Sequence, residues 1–541
     1  MSDTAASVSP PSASLRSRLR TSLWRHRLAL AGWCLVLGFI ALVARFWHPY
    51  YGMTRLLQLN TAFAEVAIPE IGRQPVFIYP DHGGYDGLFY AQLAYHPLLD
   101  DPELVGALDN PGFRARRILM SATAWLLAVG REAWIADVFA CLNIAAWLGL
   151  AALLWRRLPV DDWRSWLAWA GILLSAGALH SVRQSLTDLP ALLIIAGAMF
   201  AIERGHLKSG VALFAAAALT RETAILATAG AADTAWRRSG TWLRNIVIGL
   251  GAALPLALWL LYVRHQFGPG DAGTANFSIP LLGWWRKWPE LIGAYGHPAF
   301  RWLVTTTLLA TIGISAQALF FVVYRRVNDG WWRIGAIHVA LAIVLGRAVW
   351  EGHPGAFTRV LLPLSLAFAV GAVRWRVHPA WLVAGLLPLF AGLEPWRSVV
   401  HHRDDLSSGV VQGRGYFVQL QDGFFPRDHH RGHTRSWSAG AGRLEFRFTH
   451  PPAAEQLHLT FGVRAFGPRT LTVRDGQGVV WSGAIGEPWQ QITCTMRPAD
   501  DGRWVLHFAS PEPPRREADV PGARDLAFAI REVELDAAAS P

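Results

Sequence analysis

The run Tyr79-Pro80-Asp81-His82-Gly83-Gly84-Tyr85-Asp86-Gly87-Leu88-Phe89-Tyr90 places two carboxylates and a histidine between glycines and aromatic rings. Pro80, Gly83 and Gly84 are turn formers, so the acids sit on irregular backbone. Leu88 to Tyr95 then has the pattern of a short amphipathic helix. A carboxylate held on such a turn, beside aromatic rings and a membrane surface, is suited to general-base work. Asp86 is the first candidate for that role and Asp81 the second. The plainer reading is a polar loop with two solvated aspartates.

Three further segments put charge into apolar surroundings. They are Arg183-Gln184-Ser185-Leu186-Thr187-Asp188, Leu219-Thr220-Arg221-Glu222-Thr223, and the stretch from Glu351 through His353 and Arg359 to Pro363. An arginine at a helix centre costs about 2.5–3.5 kcal/mol on insertion scales, so Arg221 and Arg359 call for an anion. The planar guanidinium donates two parallel hydrogen bonds, which suits phosphate. Each residue also has a plainer use. Arg221 can pair with Glu222 or cap a hairpin, and Arg359 can snorkel from a helix flank. Asp188, helped by Thr187, can cap the helix that follows and still orient a site. Arg183 reads as partly structural. Arg114, Arg116 and Arg117 either face lipid phosphates or anchor a surface helix. Glu351 and His353 are too few for a metal site, so no metal ligand is assigned; a divalent cation is the one cofactor left open.

Composition sets the elements that must hold these residues. Of 541 residues, 52% are hydrophobic and 27 are tryptophan, and mean hydropathy is +0.25. That is a membrane chain with a soluble part attached. The net charge of +11 does not imply nucleic acid. The arginines fall between apolar windows, where the positive-inside rule wants them. Cys34, Cys141 and Cys494 make no metal or disulfide framework. The first apolar run is long and is followed by Arg45, Phe46 and Trp47, which is not the pattern of a cleavable signal peptide.

Residues 1–27 read as a basic cytoplasmic tail ahead of a first span over 28–46. The first outer loop, 47–132, carries the acidic turn. Residues 117–130 are apolar but short, about 21 Å of helix, and read as a helix lying on the outer surface. That choice leaves the Arg156-Arg157 and Arg237-Arg238 clusters inside. That makes about eleven spans in all, counting the first and a hairpin of shorter helices over 207–220 and 222–236. Arg183, Arg221 and Arg359 then all reach the outer face. A second long outer loop covers 264–300, with Trp284, Trp285 and Trp288 at the interface. The fold class is thus an α-helical polytopic membrane domain over 28–399. A linker and edge over 400–440 leads to an all-β sandwich or jelly roll over 441–541. Alternating strands with turns at Asp475-Gly476 and Asp501-Gly502 support that last part.

Tyr85-Asp86-Gly87-Leu88-Phe89-Tyr90, followed by Gln92-Leu93-Ala94, resembles the Asp-Gly-x-aromatic-Tyr loop of bacterial membrane proteins related to the GT-C glycosyltransferases. Asp109-Asn110-Pro111 and Arg114-x-x-Arg117-Ile118-Leu119 extend the likeness. Ser185-Leu186-Thr187-Asp188 is similar to the second outer loop of that superfamily. Leu219-Thr220-Arg221-Glu222 resembles the hairpin tip of lipid A aminoarabinose transferases and protein O-mannosyltransferases. Thr358-Arg359 through Pro363 resembles their Arg-x-x-x-Pro element near the lipid phosphate. The likeness covers residues 28–396. It implies an enzyme of the bacterial inner membrane that takes a sugar from a polyprenyl phosphate on the outer face. The sugar passes, with inversion, to a glycan, lipid or protein acceptor. The resemblance implies Asp86 or Asp81 as base, Asp188 as an orienting acid, and Arg221 and Arg359 as phosphate clamps. Arg183, Arg117, Glu222 and Tyr90 stand beside the donor. The spacing Asp-x-x-x-x-Asp departs from the family's Asp-Glu or Glu-x-Asp form, which leaves the choice of base open. The sandwich resembles appended carbohydrate-binding modules. The rival reading is a non-catalytic protein for polysaccharide transport or scaffolding, with a glycan-binding domain.

Overall fold

The computed structural model describes residues 15–47, 51–60, 63, 66–74, 76–77, 79, 84–158, 162–234, 240–269, 273–296, 301–396, 405–411, 414–425, 428–430, 433–448, 456–496, 503–517 and 523–537. In hydrocarbon a backbone satisfies its own polar groups only as a helix or a closed barrel, so the apolar windows become helices. Those used below are α1 (Leu15–Ala44), α2 (Gly87–Leu93), α3 (Ile118–Leu127), α4 (Glu132–Trp155), α5 (Trp163–Leu173), α6 (Ala176–Arg183) and α7 (Asp188–Glu203). They continue with α8 (Leu207–Thr220), α9 (Thr241–Phe267), α10 (Arg301–Val323), α11 (Gly330–Val344), α12 (Gly355–Val360) and α13 (Leu362–Arg374). Among the described residues five stretches are long and apolar enough to cross a membrane: Arg27–Ala44, α4, Trp163–Arg183, α9 and α10. Shorter apolar helices are α8, α11 and α13. The chain is a multi-pass membrane protein.

Several windows that read as single spans are broken here, and each break has a local cause. Ser175 separates α5 from α6. Its hydroxyl donates to Ile172 O at 2.8 Å and accepts from Ala178 N at 3.4 Å, which caps the second helix. After α8, Arg221 has an extended backbone (φ −152°, ψ 121°), and residues Glu222–Ala231 form a 3₁₀ helix where the sequence predicts a second α-helical arm. The short helix predicted over 117–130 is α3, whose Trp125, Leu126 and Leu127 are exposed and apolar.

One helix fixes the two ends of the bundle. Sixteen residues long, α7 runs from Asp188 to Glu203, a rise of about 24 Å. At its far end Glu203 accepts from Trp331 Nε1 at 2.8 Å and from Arg374 Nη1 at 2.7 Å. At its near end Asp188 meets Arg221.

The C-terminal part is all β. Its strands are β1 (Asp405–Val411), β2 (Arg414–Leu420), β3 (Asp428–His430), β4 (His433–Ser438), β5 (Ala441–Phe448), β6 (Leu457–Ala465) and β7 (Arg469–Arg474). After them come β8 (Val479–Ile485), β9 (Gln490–Met496), β10 (Arg503–Ala509), β11 (Arg515–Arg516), β12 (Asp525–Leu526) and β13 (Phe528–Ala537). One large sheet has the order β1-β2-β5-β10-β7-β8 and the second β3-β4-β13-β6-β9, while β11 pairs only with β12 among the described strands. Strands therefore begin at Asp405, inside the stretch that reads as linker and edge. Strands β1 to β4 lie at or next to sheet margins, where less apolar alternation is needed.

The sheets share a core in which Phe461, Phe508 and Phe528 meet Phe424 at its margin. Truncating a buried phenylalanine costs about 3–5 kcal/mol. Phe508→Ala is therefore expected to speed amide hydrogen exchange throughout β6, β10 and β13. Unchanged protection there would show that the two sheets are not held together through this ring.

Candidate active site

Asp86 precedes the first residue of α2, where an aspartate commonly caps the helix with its own side chain. Here it makes no such cap bond, so both oxygens are turned elsewhere. Oδ2 lies 3.2 and 3.3 Å from Nη1 and Nη2 of Arg359. Oδ1 lies 3.0 Å from Nη1 of Arg114. Gly87 explains the position of the turn. A Cβ there would stand 2.1 Å from the carbonyl oxygen of Gln184, just past α6, so only glycine lets α2 start this close to that loop.

The neighbouring guanidiniums are paired in turn. Arg114 donates from Nε and Nη2 to Asp109 at 2.8 and 2.6 Å. Arg117 donates to both oxygens of Glu222 at 2.8 and 2.7 Å, and to Tyr90 OH at 2.5 Å. Arg221 meets Asp188 and donates from Nε to Thr223 Oγ1 at 3.2 Å. The sequence places Arg114 and Arg117 three residues apart, so both point to one side of their turn. Asn110 starts that turn, its Oδ1 accepting from Phe113 N at 3.0 Å.

These groups open into one cavity of about 330 Å³. Its charged lining is Asp86, Glu222 and the five arginines 114, 116, 117, 221 and 359. Burial pushes the Asp86 carboxyl up, but the guanidiniums of Arg359, Arg114 and Arg117 more than reverse this and bring its pKa down to about 2. Burial raises the Tyr85 phenol. It also holds His353 well below the usual imidazole range, and the positive charge of Arg359 acts in the same direction.

The sequence candidates thus fall into three groups. Asp86, Arg117, Arg221, Arg359 and Glu222 line the cavity, while Asp188 and Tyr90 hold two of its arginines. Arg183 is not among the lining residues; it donates to Tyr79 OH at 3.2 Å and lies over Phe46. Asp81 falls outside the described residues. Sequence reasoning missed Asp109 as a partner of Arg114. It also missed a buried strut behind Arg359. Arg359 lies over the Tyr85 ring at 5.2 Å, and Tyr85 OH is 3.3 Å from His353 Nε2. His353 in turn stacks on His180 at 4.8 Å.

No family model and no curated protein matches the chain. Solved structures with some likeness include a CBM4 structure, at 11% identity and TM-score 0.16, covering 23% of this chain and 87% of that one. Another is the arabinosyltransferase EmbB from Mycobacterium smegmatis, at 11% identity and TM-score 0.17, covering 84% of this chain and 64% of that one.

For a cation, Glu70, His96 and Asp101 form a compact group among the described residues, with ligand atoms within 4.8 Å of one another. His96 Nε2 is 3.5 Å from Glu70 Oε1 and 3.1 Å from Asp101 Oδ2. None of the three lines the cavity.

Arg359 is placed by close packing of α12 on α6. A Cβ at Gly177 would stand 2.7 Å from Thr358 O and 2.8 Å from Arg359 Cα. Backbone cannot step aside cheaply, and overpacking costs about 1–3 kcal/mol. Gly177→Ala is expected to lower the melting temperature in detergent. Gly197→Ala, where the nearest atom is a Leu213 methyl at 3.8 Å, is the control and should be neutral or slightly stabilising. Equal melting temperatures for the two variants would contradict this account of how Arg359 is held.

Proposed function

We propose that the chain is a membrane glycosyltransferase that moves a sugar from a polyprenyl phosphate to a glycan, lipid or protein acceptor. The observation that carries this reading is the cavity in which two carboxylates, Asp86 and Glu222, stand among five guanidiniums. A phosphate leaving group needs positive charge where its own negative charge develops. An attacking hydroxyl needs a base within hydrogen-bond reach. The lining offers both.

In the proposed reaction the acceptor hydroxyl gives its proton to Asp86. Its oxygen forms a bond to the anomeric carbon from the face opposite the phosphate. The bond from that carbon to the phosphate oxygen breaks, and polyprenyl phosphate departs with the electron pair. Configuration inverts because there is one displacement. Arg359, Arg221, Arg117 and Arg114 neutralise the departing phosphate, and Asp188 orients Arg221. No step calls for a metal, and a divalent cation beside the phosphate is compatible with the scheme.

Asp86 with a pKa near 2 is a weak base while both its oxygens are held. An incoming phosphate competes for Arg359 and Arg114, and releasing the carboxylate makes it more basic. The cavity end of the bundle is assigned to the outer face of the inner membrane. The N-terminal tail is then cytoplasmic and the sandwich periplasmic, following the positive-inside rule.

Positioned general-base catalysis contributes about 10²–10⁴ in rate. Asp86→Asn is expected to reduce transfer from a polyprenyl-phosphate sugar by that order while donor binding persists. Arg359→Gln is expected to raise the donor KM. The folded pKa of Asp86 is depressed, so its carboxylate is ionised above about pH 2 and protonates only below that. The acidic side of kcat/KM, which reports the free enzyme, should therefore stay flat between about pH 4 and 6. Full transfer by Asp86→Asn would rule out the base, and an acidic limb in that range that Asp86→Asn abolishes would rule out the hold of Arg359 and Arg114 on Asp86.

A further inference from the structure

A second cluster of ionisable groups lies at the opposite end of α2 from Asp86. Glu70 sits on a short helix, Pro69–Arg73. His96 follows the end of α2, and Asp101 follows His96 across a turn. Gln92, buried on α2, holds these segments together. Its Oε1 accepts from Ile68 N at 3.0 Å, and its Nε2 donates to Ala107 O at 3.3 Å. The stretch leading into Glu70 is thereby fixed on the helix leading into His96. Past α2 the chain reverses, His96 O accepting from Leu99 N at 2.9 Å, with Leu99 at φ 57°. That turn returns Asp101 to the imidazole.

The three side chains converge. His96 Nε2 is 3.1 Å from Asp101 Oδ2 and 3.5 Å from Glu70 Oε1, and one ligand atom from each residue lies within 4.8 Å of the others. Donors held about 2.0–2.2 Å from one ion stand roughly 2.8–3.1 Å apart at right angles and roughly 3.3–3.6 Å apart in a tetrahedron. Both measured separations fall in those ranges. The angles are not those of a hydrogen bond. Nε2 is buried and makes none, although a carboxylate oxygen stands 3.1 Å away. Glu70 Oε2 is buried without a partner as well. Unpaired polar atoms are costly in an interior, and an ion among these donors satisfies both. The Asp101 carboxylate is oriented for the task, since its Oδ1 accepts from Glu103 N at 2.8 Å and leaves Oδ2 toward the ring. Asp100 Oδ1 stands 4.0 Å from Nδ1, the other ring nitrogen.

The donor set selects the ion. One imidazole nitrogen with two carboxylates suits Zn²⁺ or a neighbouring first-row metal, whereas Mg²⁺ and Ca²⁺ take oxygen ligands. Glu70, Asp101 and His96 keep 15%, 19% and 22% of their side chains exposed, so water can reach the ion and complete its coordination. The geometry points to a divalent transition-metal site made by Glu70, His96 and Asp101. A bound ion ties the Pro69–Arg73 helix to the end of α2. This site is separate from the cavity, and its occupancy does not depend on whether the chain transfers sugar.

The test uses the full chain in detergent, free of any metal-binding tag, stripped with EDTA and titrated with Zn²⁺. Expected are one site per chain with a micromolar or tighter Kd, and a rise in melting temperature on saturation. Glu70→Gln, His96→Gln and Asp101→Asn should each weaken that site at least about tenfold and reduce the rise. Mg²⁺ and Ca²⁺, the other arms, should not displace Zn²⁺ at equal concentration. Melting temperature and hydrogen exchange in α2, measured without metal, report which variants are folded. If one variant fails to fold, the other two and the wild-type titration decide. Absence of a micromolar site overturns the proposal. So does a site that persists undiminished in the folded variants, which places the zinc elsewhere. Equal competition by Mg²⁺ or Ca²⁺ overturns the assignment to a transition metal.

Discussion

The helical part is organised by the cost of keeping guanidinium groups out of water. A buried arginine cannot shed its charge, so each must find an anion or distort the helix that carries it. At the cavity end the structure answers with shared acids. Glu222 takes Arg117, Asp188 takes Arg221, Asp109 takes Arg114, and Asp86 bridges Arg114 and Arg359. These pairs join α2, the Asn110 turn, the ends of α7 and α8, and α12. Losing one acid leaves a neighbouring cation exposed to the same penalty, so the network behaves as a unit.

The backbone around this network departs from regular helix where a side chain must turn into the cavity. Arg221 is extended between two helices, so its side chain leaves the face that α8 would give it. Ser175 stops α5 so that α6 can lie against α12, and glycine at 177 brings the two backbones together. Gly87 does the same between α2 and the Gln184 loop. Helix breaks within a membrane domain are tolerated where protein or a cavity satisfies the freed groups.

Much of this was legible from residue types. Charge inside apolar sequence is conspicuous, which is why Asp188, Arg221 and Arg359 stood out and why all three meet at one end of the bundle. The pairings were not legible. Asp86 and Arg359 are 273 residues apart, and no local pattern says which acid a given arginine will choose. Arg114 read as part of a surface cluster because its partner Asp109 lies just upstream of the turn that aims it. In the sandwich, alternation puts Arg435 and Trp437 on one face. Stacking of Arg531 on Trp489 depends on the β13–β6–β9 register, and a shift of one residue would reverse every side chain. Strands β1 to β4 escaped notice because edge strands need no clean alternation.

The two sets of arginines are held in different ways. On the sandwich indoles lie against the guanidiniums of Arg435, Arg464 and Arg531. In the cavity Arg114, Arg117, Arg221 and Arg359 each already hold an acid, and an incoming phosphate must take one of them over. The acids are not equally held. Glu222 grips Arg117 through both oxygens at 2.7 and 2.8 Å, and Asp109 grips Arg114 at 2.6 and 2.8 Å. Asp86 is divided between two arginines at 3.0 to 3.3 Å and keeps 21% of its side chain exposed. Longer, shared contacts yield first. On the proposed reading, the carboxylate that the phosphate displaces is therefore the one that must then accept a proton. Donor binding and release of the base become a single exchange at Arg359 and Arg114.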